Sequence, residues 1–144
     1  MIAIDTNVLL RYLLQDDETQ SKIASQLIRD AQQVLITDVV LVETLWTLKG
    51  KKYQLAREQI SDVIHALFAE ARFIFENSQI VWCALRDFIQ VEAVKVNGKN
   101  KFADFSDALI ANKAMSMQSS NSGLYTFDIA AQQLPHCLSP TNSA

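Results

Sequence analysis

The stretch Met1-Ile-Ala-Ile-Asp5-Thr-Asn-Val-Leu-Leu-Arg11 decides the fold, because a single acidic residue joins an apolar run to a helical pattern. Residues 1–4 are typical of a strand that is buried on both faces inside a parallel sheet. A helix is predicted to follow, entered through Thr6 and Asn7. Open α/β sheets bind ligands where their strands end, so Asp5 is a candidate functional residue. An N-capping aspartate would have the same pattern.

Apolar runs and amphipathic helical patterns alternate along the rest of the chain. Further strands are predicted at 34–37, 73–75 and 124–128, with a small edge strand at 137–138. Helices are predicted over 23–31, 38–50, 54–71, 78–89 and 106–117, with a short one at 129–133. The polar, basic segment 95–101 is predicted to be a mobile loop. This order favours a three-layer α/β/α sandwich with a mostly parallel central sheet, formed by residues 1–138 and followed by a polar tail at 139–144.

The amino-acid composition and net charge limit the classes of protein to which this chain can belong. The 144 residues are 49% hydrophobic, with only three glycines and two prolines, which indicates one folded domain rich in helix. The net charge of -3 argues against a general nucleic-acid coat protein, so any contact with RNA or DNA needs a local patch or metal ions. Cys83 and Cys137 lack zinc spacing and are expected to be buried free thiols. The N-terminus resembles neither a signal peptide nor a membrane span, so we expect a cytoplasmic protein.

Four acidic residues stand among apolar residues at strand ends or near helix starts: Asp5, Glu43, Asp107 and Asp128. Asp104 is a fifth candidate, one turn before Asp107, with helix capping as its alternative role. Carboxylates packed together repel one another, and burial would protonate one of them unless a cation neutralised the site. Oxygen ligands without histidine or cysteine favour Mg²⁺ or Mn²⁺. Such ions activate water and stabilise charge on a phosphodiester, so an acidic protein can act on a polyanion.

Four short segments occur in a fixed order along residues 1–134: Ile4-Asp-Thr-Asn-Val-Leu, Val42-Glu-Thr-Leu-Trp, Asp107-Ala-Leu-Ile-Ala and Thr126-Phe-Asp. Together they resemble the PIN domain and, more narrowly, the VapC-type toxins of bacterial toxin-antitoxin pairs. The resemblance implies a metal-dependent endoribonuclease that an antitoxin protein suppresses and that forms a homodimer. It also implies that one or two Mg²⁺ or Mn²⁺ ions are held by Asp5 and Asp107, with Glu43 and Asp128 completing the site. The D-x-x-I-A pattern ranks Asp107 above Asp104.

Other residues receive weaker assignments. By the same resemblance, Thr6, Asn7 and Thr126 are groups that hydrogen-bond around the metal ligands. Arg11, Lys99 and Lys101 are candidates for contact with RNA phosphates, and a solvated surface is the commoner role of such residues. Two further features are interpreted structurally: Trp46 is expected in the core, and the basic cluster of Lys49, Lys51 and Lys52 is read as a solvated helix end.

Three alternatives remain open from the sequence. A PIN-like fold without activity would serve as a binding module, and a PIN nuclease without an antitoxin would act in RNA processing. An aspartate-nucleophile phosphatase also places an aspartate after its first strand. That class resembles D-x-D-x-T, and Asn7 stands here at the second aspartate. The intact set of acidic residues favours the nuclease.

Overall fold

The computed structural model describes residues 1–118 and 123–142. The chain forms two compact units: an N-terminal unit of residues 1–76 and a C-terminal unit of residues 77–144. The described residues form six α-helices, seven short strands and two 3₁₀ turns. None of these helices combines the length and apolar character that a bilayer crossing needs. The mixed α/β class with a parallel sheet is confirmed.

The N-terminal unit contains three strands and four helices. In chain order they are β1 (Ile2–Ala3), α1 (Thr6–Leu14), α2 (Glu18–Asp30), β2 (Val34–Ile36), α3 (Asp38–Lys49), α4 (Arg57–Ala69) and β3 (Phe73–Phe75). The strands form a parallel sheet in the order β1-β2-β3, in which Val34 pairs with both Ile2 and Phe73. Its core includes the fully buried side chains of Leu9, Ile36 and Leu41. The first two predicted strand-helix junctions are therefore present.

Four local predictions for this unit are wrong. Helix α2 begins at Glu18 rather than at residue 23, because Asp17 caps it. Strand β1 is not buried on both faces, because Ala3 is exposed. It is also an edge strand of the three-stranded sheet. Helix α4 begins at Arg57 rather than Gln54, since Gln54 takes a left-handed backbone conformation with φ of 52°. Trp46 lies on the surface with 58% of its area exposed, not in the core. Because α3 is apolar on most sides, its sequence pattern does not select the buried face.

The C-terminal unit pairs two helices and two short two-stranded sheets. Its elements are α5 (Ser78–Gln90), β4 (Val94–Val96), β5 (Lys99–Lys101), α6 (Phe105–Met117), β6 (Leu124–Tyr125) and β7 (Cys137–Leu138), with 3₁₀ turns at Ala131–Gln133 and Pro140–Asn142. Helices α5 and α6 pack through Phe88 and Phe105, whose ring centroids are 6.2 Å apart at 87°. Strands β6 and β7 are parallel, which confirms the small strand near Cys137. The sequence also predicts a turn at 119–123, which falls mostly outside the described residues.

The segment predicted as a mobile loop is instead an antiparallel hairpin. Val94 pairs with Lys101, and Val96 pairs with Lys99. The turn between them has positive φ at Asn97 (52°) and Gly98 (77°), the pattern of a type I′ hairpin turn. Asn-Gly is the dipeptide that most favours this turn, and the alternating valines before it fit a strand. The Asn97-Gly98 dipeptide is therefore a local sequence signal that predicts this hairpin.

Candidate functional site

Asp5 follows β1 and caps helix α1. Its Oδ1 accepts a hydrogen bond from the backbone N–H of Val8 at 3.0 Å, so the capping role considered for it is real. The residue is exposed, and its Oδ2 has no hydrogen-bond partner among the described residues. A carboxylate whose first oxygen is fixed by a helix presents its second oxygen in a defined direction. Capping and metal binding are therefore compatible at Asp5.

Glu43 lies in the middle of α3 and faces solvent. The helix begins after Thr37, whose Oγ1 accepts a hydrogen bond from Val40 N at 3.3 Å. Leu41, Thr44, Leu45 and Leu48 bury the opposite side of α3. Glu43 shares its exposed face with Val39 and Trp46, which are one turn away on either side. The core packing of α3 thus holds Glu43 outward.

Asp104 and Asp107 are joined at the start of α6. The backbone N–H of Asp104 donates to Oδ2 of Asp107 at 3.0 Å, and Asp104 is the residue that precedes the helix. This is half of a capping box, in which the acidic residue of the first turn bonds back to the cap. Both carboxylates are half-buried. The structure therefore brings these two candidates together in one turn, as the spacing predicted.

Asp128 follows β6 and starts a tight turn. Its Oδ1 accepts from Ala131 N at 3.1 Å, and its own N–H donates to Oγ1 of Thr126 at 3.0 Å. Gln132 Nε2 also donates to the carbonyl of Thr126 at 2.8 Å. Thr126 therefore stabilises the turn that carries Asp128. Asp128 is exposed, and no described residue bonds its Oδ2.

A cavity of about 350 Å³ lies beside Asp5 in the N-terminal unit. Its lining comes from α1 and α2 and consists of Asp5, Asn7, Val8, Arg11, Gln20, Ile23, Ala24 and Leu27. Ile23 and Leu27 are exposed, so the cavity has an open apolar wall. Asn7 lines it while Thr6, the first residue of α1, is half-buried. Two of the polar candidates, Asn7 and Arg11, thus share one cavity with Asp5.

Arg11 is held by a polar network. Its Nε donates to Gln20 Oε1 at 2.8 Å, and its Nη1 lies 3.2 Å from Asp16 Oδ1. The hydroxyl of Tyr53 donates to the other oxygen of Asp16 at 3.0 Å. The Tyr53 hydrogen bond, together with the Arg11 charge, lowers the pKa of Asp16 below its ordinary value. Arg11 is therefore an ordered guanidinium, with donors beyond those used by Asp16 and Gln20.

The other basic candidates lie on the hairpin of the C-terminal unit. Lys99 and Lys101 are exposed and two residues apart on β5, so they point to the same face. Lys95 pairs with Asn100 and points to the opposite face. The hairpin thus holds two cations on one face. A mobile loop, as predicted from the sequence, would not fix their relative positions.

Two of the five candidate metal ligands, Asp5 and Glu43, lie in the first unit, and three, Asp104, Asp107 and Asp128, lie in the second. None of the five is buried. Within neither unit do three described His, Cys, Asp or Glu side chains lie close enough to hold an ion. The donor set is nevertheless all oxygen, and such hard ligands suit Mg²⁺ or Mn²⁺.

The sequence reading missed a buried carboxylate. Asp87 on α5 is 8% exposed and accepts a hydrogen bond from Asn112 Nδ2 of α6 at 2.9 Å. Burial, followed by the charges of Asp107 and Asp87, raises the pKa of the Cys137 thiol. The available signal was the position of Asp87 on the apolar stripe of Ala84 and Phe88, where a charged residue requires a partner. Cys137 is buried as predicted, whereas Cys83 is only half-buried.

Comparison with known families agrees with the motifs. The family model of the PIN domain matches residues 2–135, which is nearly the whole chain. Comparison with curated proteins gives no match. PIN domains are generally nucleases, which are hydrolases. The chain belongs to the PIN domain family.

Proposed function

We propose that this protein is a metal-dependent endoribonuclease that hydrolyses RNA phosphodiester bonds. The observation that carries the proposal is the PIN match over residues 2–135, within which all four acidic candidates stand. Asp5, Glu43, Asp107 and Asp128 hold one or two Mg²⁺ or Mn²⁺ ions, and the role of Asp104 is to start α6 beside Asp107. The same match supports treating residues 1–138 as one PIN-like domain in function.

The bound ions supply a Lewis acid and an activated water for attack on the phosphodiester. The chain's own residues do the positioning. Backbone N–H groups bond to one oxygen of each carboxylate at Asp5 and Asp128 and leave the other oxygen for a metal ion. Thr126 supports the turn of Asp128, and Asn7 and Arg11 line the cavity beside Asp5. Arg11, Lys99 and Lys101 then contact RNA phosphates, which offsets the protein's overall negative charge.

The test is cleavage of single-stranded RNA by the purified protein. We expect activity with Mg²⁺ or Mn²⁺, none with chelator, and none in Asp5→Asn. That variant keeps a side-chain oxygen for the cap of α1 but loses the charge. Asp17→Asn is the matched control, because Asp17 caps α2 in the same way through a 2.9 Å bond to Gln20 N and lies outside the motifs. Cleavage by Asp5→Asn equal to that of the control would overturn the proposal.

Within this function we propose the narrower role of a VapC-type toxin in the cytoplasm, active as a homodimer and suppressed by a cognate antitoxin. The VapC-like segments around Asp5, Glu43 and Asp107 support it. Expression of the wild type alone is expected to arrest growth, whereas co-expression with the protein encoded next to it restores growth. RNA cleavage without growth arrest would favour an RNA-processing nuclease. RNA binding without cleavage would favour the inactive binding module.

A further inference from the structure

We propose that α3 carries a stacking platform for single-stranded RNA, formed by Trp46 and the basic end of the helix at Lys49, Lys51 and Lys52. The inference rests on the proposed nuclease function and specifies its substrate as unpaired RNA. The observation that starts it is the exposure of Trp46: 58% of its area is open to solvent, whereas a tryptophan at helical spacing is more often buried. The basic cluster beside it has no other role in the proposed reaction.

Trp46 shares a face of α3 with a proposed metal ligand. Val39, Glu43 and Trp46 are separated by four and then three residues, the spacing of neighbours on one side of a helix. All three are exposed, while Leu41, Thr44, Leu45 and Leu48 fill the core side. More than half of the indole is therefore exposed to solvent, on the same side of α3 as Glu43.

Three lysines follow Trp46 at the end of α3 and in the turn after it. Helix α3 ends at Lys49, and Lys51 and Lys52 follow in the turn after Gly50. At about 1.5 Å per residue, Trp46 and Lys49 lie roughly 4.5 Å and 9 Å farther along the axis than Glu43. Lys51 and Lys52 lie in the turn beyond the helix. All three lysines are exposed, and Lys52 Nζ is 5.2 Å from the ring centroid of Tyr53. A carboxylate, an aromatic ring and one cation thus lie along α3, and two more cations lie in the turn that follows it.

This succession fits an unpaired strand of RNA. A base in a duplex is already stacked on both faces, whereas an unpaired base can stack on an aromatic side chain. The lysines attract the phosphates of adjoining nucleotides, and they do so locally in a protein whose net charge is -3. A base on Trp46 would place its own backbone near Glu43. The platform therefore selects unpaired RNA and positions it for cleavage.

Binding of labelled RNA about ten nucleotides long tests the platform without cleavage, with every variant in the Asp5→Asn background and without metal. Trp46→Ala is expected to weaken the binding of the single strand by roughly 5- to 100-fold, whereas Trp46→Phe retains most of the affinity. Trp82→Phe is the matched control, since Trp82 is the chain's other tryptophan and is 51% exposed on α5. Equal single-strand affinities of Trp46→Ala and the control would overturn the proposal.

Tryptophan fluorescence gives an independent readout. In Trp82→Phe, Trp46 is the only tryptophan and gives all of the tryptophan emission. Stacking of an added single strand is expected to quench this emission, whereas a duplex of the same sequence is expected to quench it weakly. The slope of log K for binding against log salt concentration should become shallower by about 0.7 for each of Lys51 and Lys52 that is replaced by alanine. Quenching without any metal-dependent cleavage would support the platform and contradict the nuclease. Quenching by a protein partner but not by RNA would overturn the platform in favour of a protein-binding surface.

Discussion

At the scale of single residues, Asp5 combines two roles that the sequence presented as alternatives. It caps α1 through Oδ1 and leaves Oδ2 without a described partner. Because Asn caps as well as Asp does, the two roles are separable by substitution. The same holds for Asp128, whose Oδ1 caps the turn after β6. A local hydrogen bond thus fixes one oxygen of a carboxylate and leaves the other available to bind a metal ion.

Asp5→Ala and Asp5→Asn are therefore expected to differ in stability and agree in activity. Asp5→Ala loses the bond to Val8 N and should lower the free energy of unfolding by about 1 kcal/mol. Asp5→Asn keeps that bond and should remain within a few tenths of a kcal/mol of the wild type. Both should lose cleavage. Urea denaturation followed beside an RNA cleavage assay measures the two effects, and a stable, active Asp5→Ala would contradict both roles.

Tyr53 and Asp16 make a second prediction at this scale, in the pH dependence of stability. The folded protein lowers the pKa of Asp16 from 3.8, mainly through the hydroxyl of Tyr53. The resulting stabilisation is complete above the unfolded pKa and is lost as the pH falls through the folded pKa. Tyr53→Phe should therefore be less stable than the wild type at neutral pH, and the difference should shrink below about pH 4. Thermal unfolding across pH measures it, and a difference independent of pH would contradict the mechanism.

At the scale of elements, the hairpin β4–β5 shows how one turn sets the direction of several side chains. Asn97 and Gly98 both have positive φ, which reverses the chain and aligns Lys99 with Val96. As alternate residues of β5, Lys99 and Lys101 point to one face, and the register decides which face that is. Helix α3 shows the opposite case, in which neighbouring elements rather than its own pattern decide that Glu43 and Trp46 face solvent.

Gly98→Ala should weaken the hairpin. No atom lies within 4 Å of a side chain at this position, so the cost comes only from φ of +77°, which L-residues disfavour by about 1 kcal/mol. Faster amide hydrogen exchange at Lys99–Lys101 is the expected readout. Lys95→Ala, on the other face and away from the turn, serves as the control. If the hairpin orders the lysines for RNA, Gly98→Ala should also reduce RNA affinity.

At the scale of the whole molecule, metal binding should be linked to folding. A ligand that binds only the folded protein stabilises it by about 1.4 kcal/mol at ten times its dissociation constant. Mg²⁺ or Mn²⁺ should therefore raise the melting temperature of the wild type and raise it much less in Asp107→Asn. A chelator should reverse the shift. Scanning calorimetry measures this directly, and equal shifts in wild type and variant would remove Asp107 from the metal ligands.

The sequence by itself determined the α/β alternation, most helix starts and the positions of the acidic segments. These are set by short-range effects: side-chain periodicity, capping residues such as Asp5 and Asn77, and apolar runs such as Phe73–Phe75. The hairpin was also within its reach, since Asn97-Gly98 is a local signal.

Only the tertiary structure decided the exposure of Trp46 and the partner of Asp87. Helix α3 is apolar on most sides, so its solvent face depends on which elements cover it. Asp87 bonds to Asn112, a residue 25 positions along the chain that only the packing of α5 on α6 brings near. Likewise Tyr53 reaches Asp16 across 37 positions. Local preferences act over one or two turns, whereas burial and long-range hydrogen bonds depend on the packing of whole elements.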